Sequence, residues 1–278
     1  MKKLSLMLLC AVLAAGSAFA GNTNTTLDLD GMPDLSVADN LGQQWVVRDE
    51  NLAANFCSVI EGGVEPGLRR LVRFTVTTPN TGDADLFVGD PNDIKNADLF
   101  EFADCHQHHH FKNYATYELI DPRNGHVWRA AKRGFCMLDT DPVPSSSGNE
   151  PPRAGQFRSC GAIGIPGNQG VSHGWADTYR FFLGGQYFVL DGGDGQAPVP
   201  PGEYVIRVTV NPPYAPDRRG NCPLAKDAAT GLCHNFAESD YTNNVRSVTI
   251  TIPEHPGREG VGPLKNEPAL GYEPIDHQ

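Results

Sequence analysis

The fold class is decided by Leu71-Val72-Arg73-Phe74-Thr75-Val76-Thr77, a stretch in which apolar and polar residues alternate with the period of a β-strand. It ends at Pro79-Asn80-Thr81-Gly82, a cluster of residues that favour turns. A second apolar stretch, Ala84-Asp85-Leu86-Phe87-Val88, follows at hairpin distance. We therefore predict two antiparallel strands joined by a tight turn.

The same pattern recurs along the chain. Residues 114–120 alternate before the turn at 121–125, and residues 126–130 resume the pattern beyond it. Further short strands are predicted at 187–190, 203–210 and 244–252, and no segment has a convincing long helical period. The prediction is an all-β fold, an antiparallel β-sandwich with long loops that are rich in Pro, Gly, Asn and Ser at 141–170 and 211–237.

The first twenty residues have the pattern of a secretory signal: two lysines, an apolar core and then Ala18-Phe19-Ala20 before a small residue. We predict a signal peptide at 1–20, one domain at 21–252 and an extended C-terminal tail at 253–278. The protein would then be secreted or periplasmic. Beyond the signal, no apolar run approaches the roughly twenty residues that a membrane span requires.

The charge balance is acidic. The chain has 22 Lys and Arg against 33 Asp and Glu, a net charge of −11, and loss of Lys2 and Lys3 with the signal would take it to −13. Phosphate contacts need clustered Lys and Arg, so this balance argues against a nucleic-acid partner.

The cysteines agree with export. Cys10 would leave with the signal, and six remain: Cys57, Cys105, Cys136, Cys160, Cys222 and Cys233. An even number in an exported chain predicts three disulfides, whose pairing the count leaves open. Free buried thiols are the alternative.

The candidate chemistry concentrates at Cys105-His106-Gln107-His108-His109-His110-Phe111. If this stretch is a strand, its side chains alternate, so His106, His108 and His110 project from one face. Three imidazoles leave a fourth position open for water or substrate, as catalytic metal sites do. Imidazole suits copper and zinc alike, so the pattern predicts a metal site without naming the metal. A surface histidine run without function is the alternative.

This stretch resembles the copper-binding stretch of the lysyl oxidases. Ala131-Lys132-Arg133-Gly134-Phe135-Cys136 resembles the segment that supplies the lysine of that family's lysine tyrosylquinone cofactor, and Trp175-Ala176-Asp177-Thr178-Tyr179 resembles the one that supplies its tyrosine. Further similar segments extend the resemblance over about residues 32–250. Animal members have Gly-His before the lysine where this chain has Ala130-Ala131, and the paired cysteines around their tyrosine segment are absent here.

The resemblance implies that His106, His108 and His110 bind copper and that Lys132 and Tyr179 form the quinone cofactor. It also implies an amine oxidase that converts primary amines, either lysine side chains or small amines, to aldehydes with oxygen and water, releasing ammonia and hydrogen peroxide. A base must take the proton next to the amine. Asp177 lies two residues before Tyr179, hence on the same face of a strand, and is the candidate base. A structural carboxylate is the alternative.

A calcium site is also predicted. Glu238 and Asp240 lie on one face of a strand, and the amide oxygens of Asn243 and Asn244 follow; calcium prefers six to eight such oxygens. The resemblance places the Asp34 carboxylate and the Leu35 carbonyl beside them. An Asx turn closed by its own side chains is the alternative.

The resemblance further implies a disulfide between Cys105 and Cys160. Cys222 and Cys233 are close enough in sequence to close a local loop, and elimination then pairs Cys57 with Cys136.

Two other function classes stay open. One is a zinc hydrolase that uses the same three histidines, and the other is a non-catalytic module that binds copper and calcium.

Overall fold

The computed structural model describes residues 27, 29–132, 134–143 and 154–274, so the predicted signal peptide lies outside the described residues. The described part contains one short helix, α1 (Cys57–Gly62), and 3-10 turns at Asp39–Gln43 and Ile94–Asn96. The remaining elements are strands: β1 (Trp45–Leu52), β2 (Gly67–Phe74), β3 (Val76–Pro79), β4 (Leu86–Gly89), β5 (Phe100–Ala103), β6 (His108–Phe111), β7 (Ala115–Ile120), β8 (Val127–Arg129), β9 (Asp141–Pro142), β10 (Gln169–Val171), β11 (Trp175–Tyr179), β12 (Tyr187–Val189), β13 (Gly202–Val210), β14 (Ala225–Lys226), β15 (Cys233–His234) and β16 (Val245–Ile252).

The strands form small antiparallel sheets. The largest has the order β16-β13-β7-β8, and two three-stranded sheets have the orders β1-β2-β12 and β3-β11-β9. The pairs β10-β4, β14-β15 and β5-β6 complete the set. The predicted all-β, antiparallel fold class is confirmed. So is the hairpin at 114–130, where β7 pairs with β8 through Glu118–Arg129, Leu119–Trp128 and Ile120–Val127.

The predicted hairpin between residues 71–77 and 84–88 is wrong. The first stretch divides at Thr75 into β2, which pairs with β1 and β12, and β3, which pairs with β11, while β4 pairs with β10. The turn between them is held by the buried Asn80 side chain, whose Nδ2 donates to the carbonyls of Ala84 and Val171, each at 2.9 Å. These bonds tie the turn to β10, so β4 leaves the edge of β3.

The core is aromatic where the sheets meet. Phe74 packs edge-on against Tyr117 at 5.2 Å between ring centroids, and Tyr117 in turn contacts Phe135 at 5.4 Å. Phe135 also lies edge-on to Tyr179 at 5.1 Å. Rings of this size bury much apolar area and hold fixed relative angles, so this chain of contacts sets the position of Tyr179 from the centre of the fold.

The described residues contain three disulfides, as predicted, but two of the expected pairings are wrong. Cys222–Cys233 is confirmed, whereas the other bonds are Cys57–Cys105 and Cys136–Cys160. The turn between β5 and β6 packs against α1, which places Cys105 5.4 Å from Cys57 between Cα atoms. Cys160 is instead held near Cys136 by Gln169, whose side chain bonds both the Cys160 carbonyl and the Met137 amide.

The C-terminal segment 253–274 runs along the outside of β1 without forming a named strand. Val261 and Val47 exchange two backbone hydrogen bonds of 2.8 Å. The segment then reaches α1, where Glu273 accepts a bond from the Ser58 amide at 3.0 Å. Among the described residues, no helix is both long and apolar enough to cross a bilayer.

Candidate active site

Two of the candidate metal ligands are fixed by a hairpin. Strands β5 and β6 pair so that Ala103 faces His108 and Glu101 faces His110. Both histidines are buried on one face of β6, with 6% and 5% of their surface exposed. Their Nε2 atoms are 3.2 Å apart. Two nitrogens bound to one tetrahedral ion at about 2.0 Å would be about 3.3 Å apart, so this pair already has the spacing of metal ligands.

His106 is placed differently from the prediction. It lies in the tight turn that joins β5 and β6, and not on the strand, so simple alternation does not account for it. Gln107 has a left-handed backbone with φ of 58°, and its amide donates to the Ala103 carbonyl at 2.7 Å. This reversal of the chain, and not the pleat of a strand, brings the His106 ring toward the other two.

The three rings nevertheless cluster. The His106 centroid is 5.6 Å from that of His108 and 5.5 Å from that of His110, and the latter two are 5.0 Å apart. Three imidazoles around one ion would have centroids about 5 Å apart. The ring spacing therefore fits a metal ion, although no three such side chains in the described residues already have the geometry of a formed metal site.

The carboxylate of Glu61 contacts one nitrogen of the His106 ring and leaves the other nitrogen available. Its Oε2 lies 2.5 Å from His106 Nδ1, and its Oε1 accepts a hydrogen bond from the Cys105 amide at 2.6 Å. A neutral ring that donates from Nδ1 keeps a lone pair on Nε2. That Nε2 is buried and has no hydrogen-bond partner among the described residues. A buried polar atom without a partner is costly, which makes it a natural position for a metal bond.

Gly134 makes room for His110. A Cβ atom at residue 134 would lie 2.1 Å from Nδ1 and 2.5 Å from Cγ of His110. Any other residue would push the imidazole out of its place, so the glycine is required by the close approach of the 134 backbone to the ring.

Lys132 and Tyr179 meet beside the histidines. The Lys132 ammonium lies 4.8 Å from the centroid of the Tyr179 ring. Tyr179 is 1% exposed, and its hydroxyl donates to the Cys136 carbonyl at 2.8 Å. Gly185 packs closely against the Lys132 backbone: its φ is +71°, and a Cβ atom at residue 185 would lie 3.1 Å from the Lys132 Cα. The two sequence-distant segments 131–136 and 175–179 are therefore brought together.

Lys132 opens into a cleft of about 440 Å³. His106 and His110 also line this cleft, and so do three carboxylates, those of Glu61, Glu101 and Asp104. Carboxylates in a confined cleft attract cations, so the cleft is suited to a protonated amine. The ionisable residues of the lining are Glu61, Glu101, Asp104, His106, His110 and Lys132.

Comparison of the sequence with known proteins identifies a family. The sequence profile described as "Lysyl oxidase" matches residues 46–217, which covers more than half of the chain. The chain belongs to the lysyl oxidase family. Its segments that carry the three histidines, Lys132 and Tyr179 all fall inside the matched range.

Vertebrate lysyl oxidase homologues show the same relation. The chain is 29% identical to lysyl oxidase homolog 2 of Gallus gallus over 199 residues, 71% of this chain and 20% of that protein. It is 26% identical to homolog 4 of Homo sapiens over 228 residues, 78% of this chain and 25% of that protein. For homolog 1 of Homo sapiens the identity is 27% over 246 residues, 84% of this chain and 35% of that protein. The chain therefore matches a third or less of the length of most of these relatives.

In this lysyl oxidase family member, Asp177 lies on the Tyr179 face of β11, as predicted, and is fully buried. It is not among the residues that line the cleft. Burial first and the charge of Asp177 second raise the pKa of Tyr114 well above its usual range, which places Asp177 near that phenol. Its role as the base stays a prediction.

Most of the predicted calcium ligands form a second polar cluster. The prediction that Glu238 and Asp240 share a strand face is wrong, because both precede β16 and lie in no strand, and Glu238 is buried whereas Asp240 is exposed. Asn243 donates from Nδ2 to both carboxylate oxygens of Asp34 at 3.1 Å. Glu238 accepts from the Leu35 amide at 2.8 Å and from Asn244 Nδ2 at 2.7 Å. The Oδ1 atoms of Asn243 and Asn244 are buried and lack hydrogen-bond partners among the described residues.

Two of the three carboxylates in the predicted ligand set, those of Glu238 and Asp240, have pKa values shifted in opposite directions. Burial raises the pKa of Glu238 to about 7. Asp240 is exposed and accepts bonds from the Thr242 amide and hydroxyl, each at 2.7 Å, which lowers its pKa. These Thr242 bonds are the Asx-turn arrangement of the alternative interpretation.

Sequence reasoning missed Glu61 and Gly134 as parts of the site. Glu61 lies in a short helix far from the histidines in sequence, and no motif links it to them. Gly134 falls within the recognised lysine segment, and a glycine next to a candidate cofactor residue is a signal of close backbone approach.

Proposed function

We propose that this protein is a copper-dependent amine oxidase of the lysyl oxidase type. It would convert a primary amine, oxygen and water to an aldehyde, ammonia and hydrogen peroxide. The observation that carries the proposal is the position of Lys132: its ammonium lies 4.8 Å from the Tyr179 ring centre, and Lys132 lines one cleft with His106 and His110.

His106, His108 and His110 would hold the copper. The buried, unpartnered Nε2 of His106 and the 3.2 Å spacing of the other two Nε2 atoms support this assignment. When bound, copper would supply, with oxygen, the oxidising power that turns the tyrosine ring and the lysine amine into a lysine tyrosylquinone, an electrophile that amino-acid side chains alone do not offer.

The chain's own groups would do the positioning. Lys132 places its amine next to the ring that it must join, and the Cys136 carbonyl holds the Tyr179 hydroxyl in one orientation. Burial of Tyr179 excludes bulk water from the ring. The carboxylates of the cleft would draw in a cationic amine, either a small amine or a lysine side chain. Asp177 would take the proton next to nitrogen. Because Asp177 is buried and does not line the cleft, this role requires the amine to pass beyond the cleft lining toward the Tyr179 ring.

The second cluster would bind calcium through Asp34, Leu35, Glu238, Asp240, Asn243 and Asn244. Its support is the pair of buried amide oxygens, on Asn243 and Asn244, that lack donors. Such hard oxygens, together with the carboxylates of Asp34, Glu238 and Asp240, are the ligands that calcium prefers. By this proposal the ion stabilises the junction of the N-terminal segment and the segment before β16.

The predicted signal and the three disulfides support action outside the cytoplasm, in a periplasm or in the medium.

Peroxide release from copper-loaded protein tests the function across a panel of amines and lysine-containing peptides. The proposal predicts peroxide with at least one primary amine and covalent labelling by a carbonyl reagent such as phenylhydrazine. A zinc hydrolase or a non-catalytic binding module would give neither signal. Fully copper-loaded protein that shows neither peroxide nor label would therefore contradict the proposal.

A further inference from the structure

The Glu61 carboxylate contacts two neighbouring residues, Cys105 and His106, in the turn between β5 and β6. One of its oxygens accepts a hydrogen bond from the Cys105 amide at 2.6 Å, and the other lies 2.5 Å from Nδ1 of His106. The His106 side chain is 7% exposed and that of Glu61 is 23% exposed, so the contact is largely removed from water. Charge-assisted hydrogen bonds of this kind are roughly twice as strong as neutral ones.

The helix that carries Glu61 is fastened to the same turn. Cys57 and Glu61 are four residues apart in α1, and residues at this spacing lie on one face of a helix. Cys57 is bonded to Cys105, the neighbour of His106. One covalent bond and two hydrogen bonds thus join a single helical face to Cys105 and His106.

His106 needs such support more than the other two histidines do. His108 and His110 belong to β6, whose pairing with β5 fixes their backbone and their common face. His106 precedes the strand and is separated from it by the left-handed Gln107. A ladder of hydrogen bonds therefore holds the backbone of two of the histidines, whereas the third, in the turn, is held by the contact of its ring with Glu61.

We propose that Glu61 is the positioning residue of the metal site, which holds the His106 ring with Nδ1–H toward the carboxylate and Nε2 toward the ion. The inference rests on the proposed copper site. Groups that hold a metal-ligating histidine through its other nitrogen fix the ring and raise its basicity, and their loss costs about 10- to 100-fold in metal affinity.

The test is the Cu(II) affinity of the full-length protein, measured by competition with a chelator of known strength. Glu61→Gln keeps the shape of the side chain and removes its charge, and it should weaken copper binding by about tenfold or more. Its Cu(II) electron paramagnetic resonance spectrum should also change, because the His106 ring is less firmly held. Glu61→Asp, which keeps the charge but withdraws it by one methylene, should weaken binding as well.

Glu65→Gln is the matched control. It removes the same charge four residues further on, from a side chain that is 75% exposed and only loosely paired with Arg69 at 3.5 Å. Its copper affinity should stay within about twofold of wild type.

His106→Ala separates failure of this inference from failure of the copper site. If His106→Ala binds copper as wild type does, the proposed metal site itself is wrong. If His106→Ala weakens binding while both Glu61 variants keep wild-type affinity and spectrum, the positioning role is overturned. A lower melting temperature of the metal-free Glu61→Gln protein, with copper affinity unchanged, would likewise reduce Glu61 to a structural residue and overturn the proposal.

Discussion

Gly134→Ala tests the place of His110 with a single added methyl group. The new Cβ would lie 2.1 Å from His110 Nδ1 and 2.7 Å from its Cβ, whereas ordinary van der Waals contact begins near 3.4 Å. The ring or the 134 backbone must therefore move by about 1.3 Å, several times the roughly 0.2 Å tolerance of a metal–ligand bond.

The size of the effect follows from this displacement. Overpacking of a close-packed site costs about 1–3 kcal/mol of folding free energy. Because His110 Nε2 is 3.2 Å from His108 Nε2, movement of one ring also disturbs the other. We expect Cu(II) affinity to fall by about 100-fold, the upper end of what loss of a supporting contact costs.

The assay is chelator competition for Cu(II), with thermal unfolding of the metal-free protein measured in parallel. Gly42→Ala is the control, because a Cβ there meets only Val248 at 3.6 Å and should change neither quantity much. Wild-type copper affinity in folded Gly134→Ala would refute the reasoning, since His110 could not then be a ligand in the position described.

The remaining predictions concern the second cluster and the cleft. Calcium at about 100 times its dissociation constant should stabilise the wild type by about 2.7 kcal/mol and raise its melting temperature, and Asp240→Ala should lose this rise; an equal rise in both would exclude the site. In chelator, the raised pKa of Glu238, about 7 in the folded protein against 4.5 ordinarily, adds stability that is fully present below pH 4.5 and is lost as pH rises through about 7. Glu238→Gln should not lose this stability as the pH rises. If the melting temperature falls equally in both proteins between pH 4 and pH 8, the prediction is contradicted. Glu101→Lys should raise KM for a diamine several-fold at low salt and less at high salt, whereas a salt-independent change would argue against charge attraction in the cleft.

Strand alternation predicted much of the fold because it reports burial directly. The stretch at 203–210 forms most of β13 and pairs with β7 and β16. The stretch at 71–77 shows the limit of this reasoning. Its pattern is continuous, but the chain changes sheets at Thr75, and the long-range hydrogen bonds of Asn80 decide which strands pair. Local periodicity carries no information about such partners.

The parts of the candidate site that depend on local backbone geometry could be predicted from the sequence, and the parts that depend on tertiary packing could not. His108 and His110 share a face because they are two residues apart on a real strand. His106 has the same spacing from His108, yet it reaches the cluster by way of a turn with a left-handed residue, which alternation does not foresee. The pairing of Cys57 with Cys105 and the contact of Glu61 with His106 depend on how α1 packs against that turn. Both arise only from the tertiary fold.

The central claim, that Lys132 and Tyr179 form one cofactor beside a copper ion, is tested most directly by mass spectrometry of proteolytic peptides. Metal-free protein is purified, loaded with Cu(II) in air and digested after thiol reduction. We predict that the peptides containing Lys132 and Tyr179 become joined by a bond that survives reduction, only when copper and oxygen are both supplied. Lys132→Ala should bind copper but give no joined peptide and no peroxide. Copper-loaded, aerobic protein that oxidises amines while the two peptides stay separate would contradict the account.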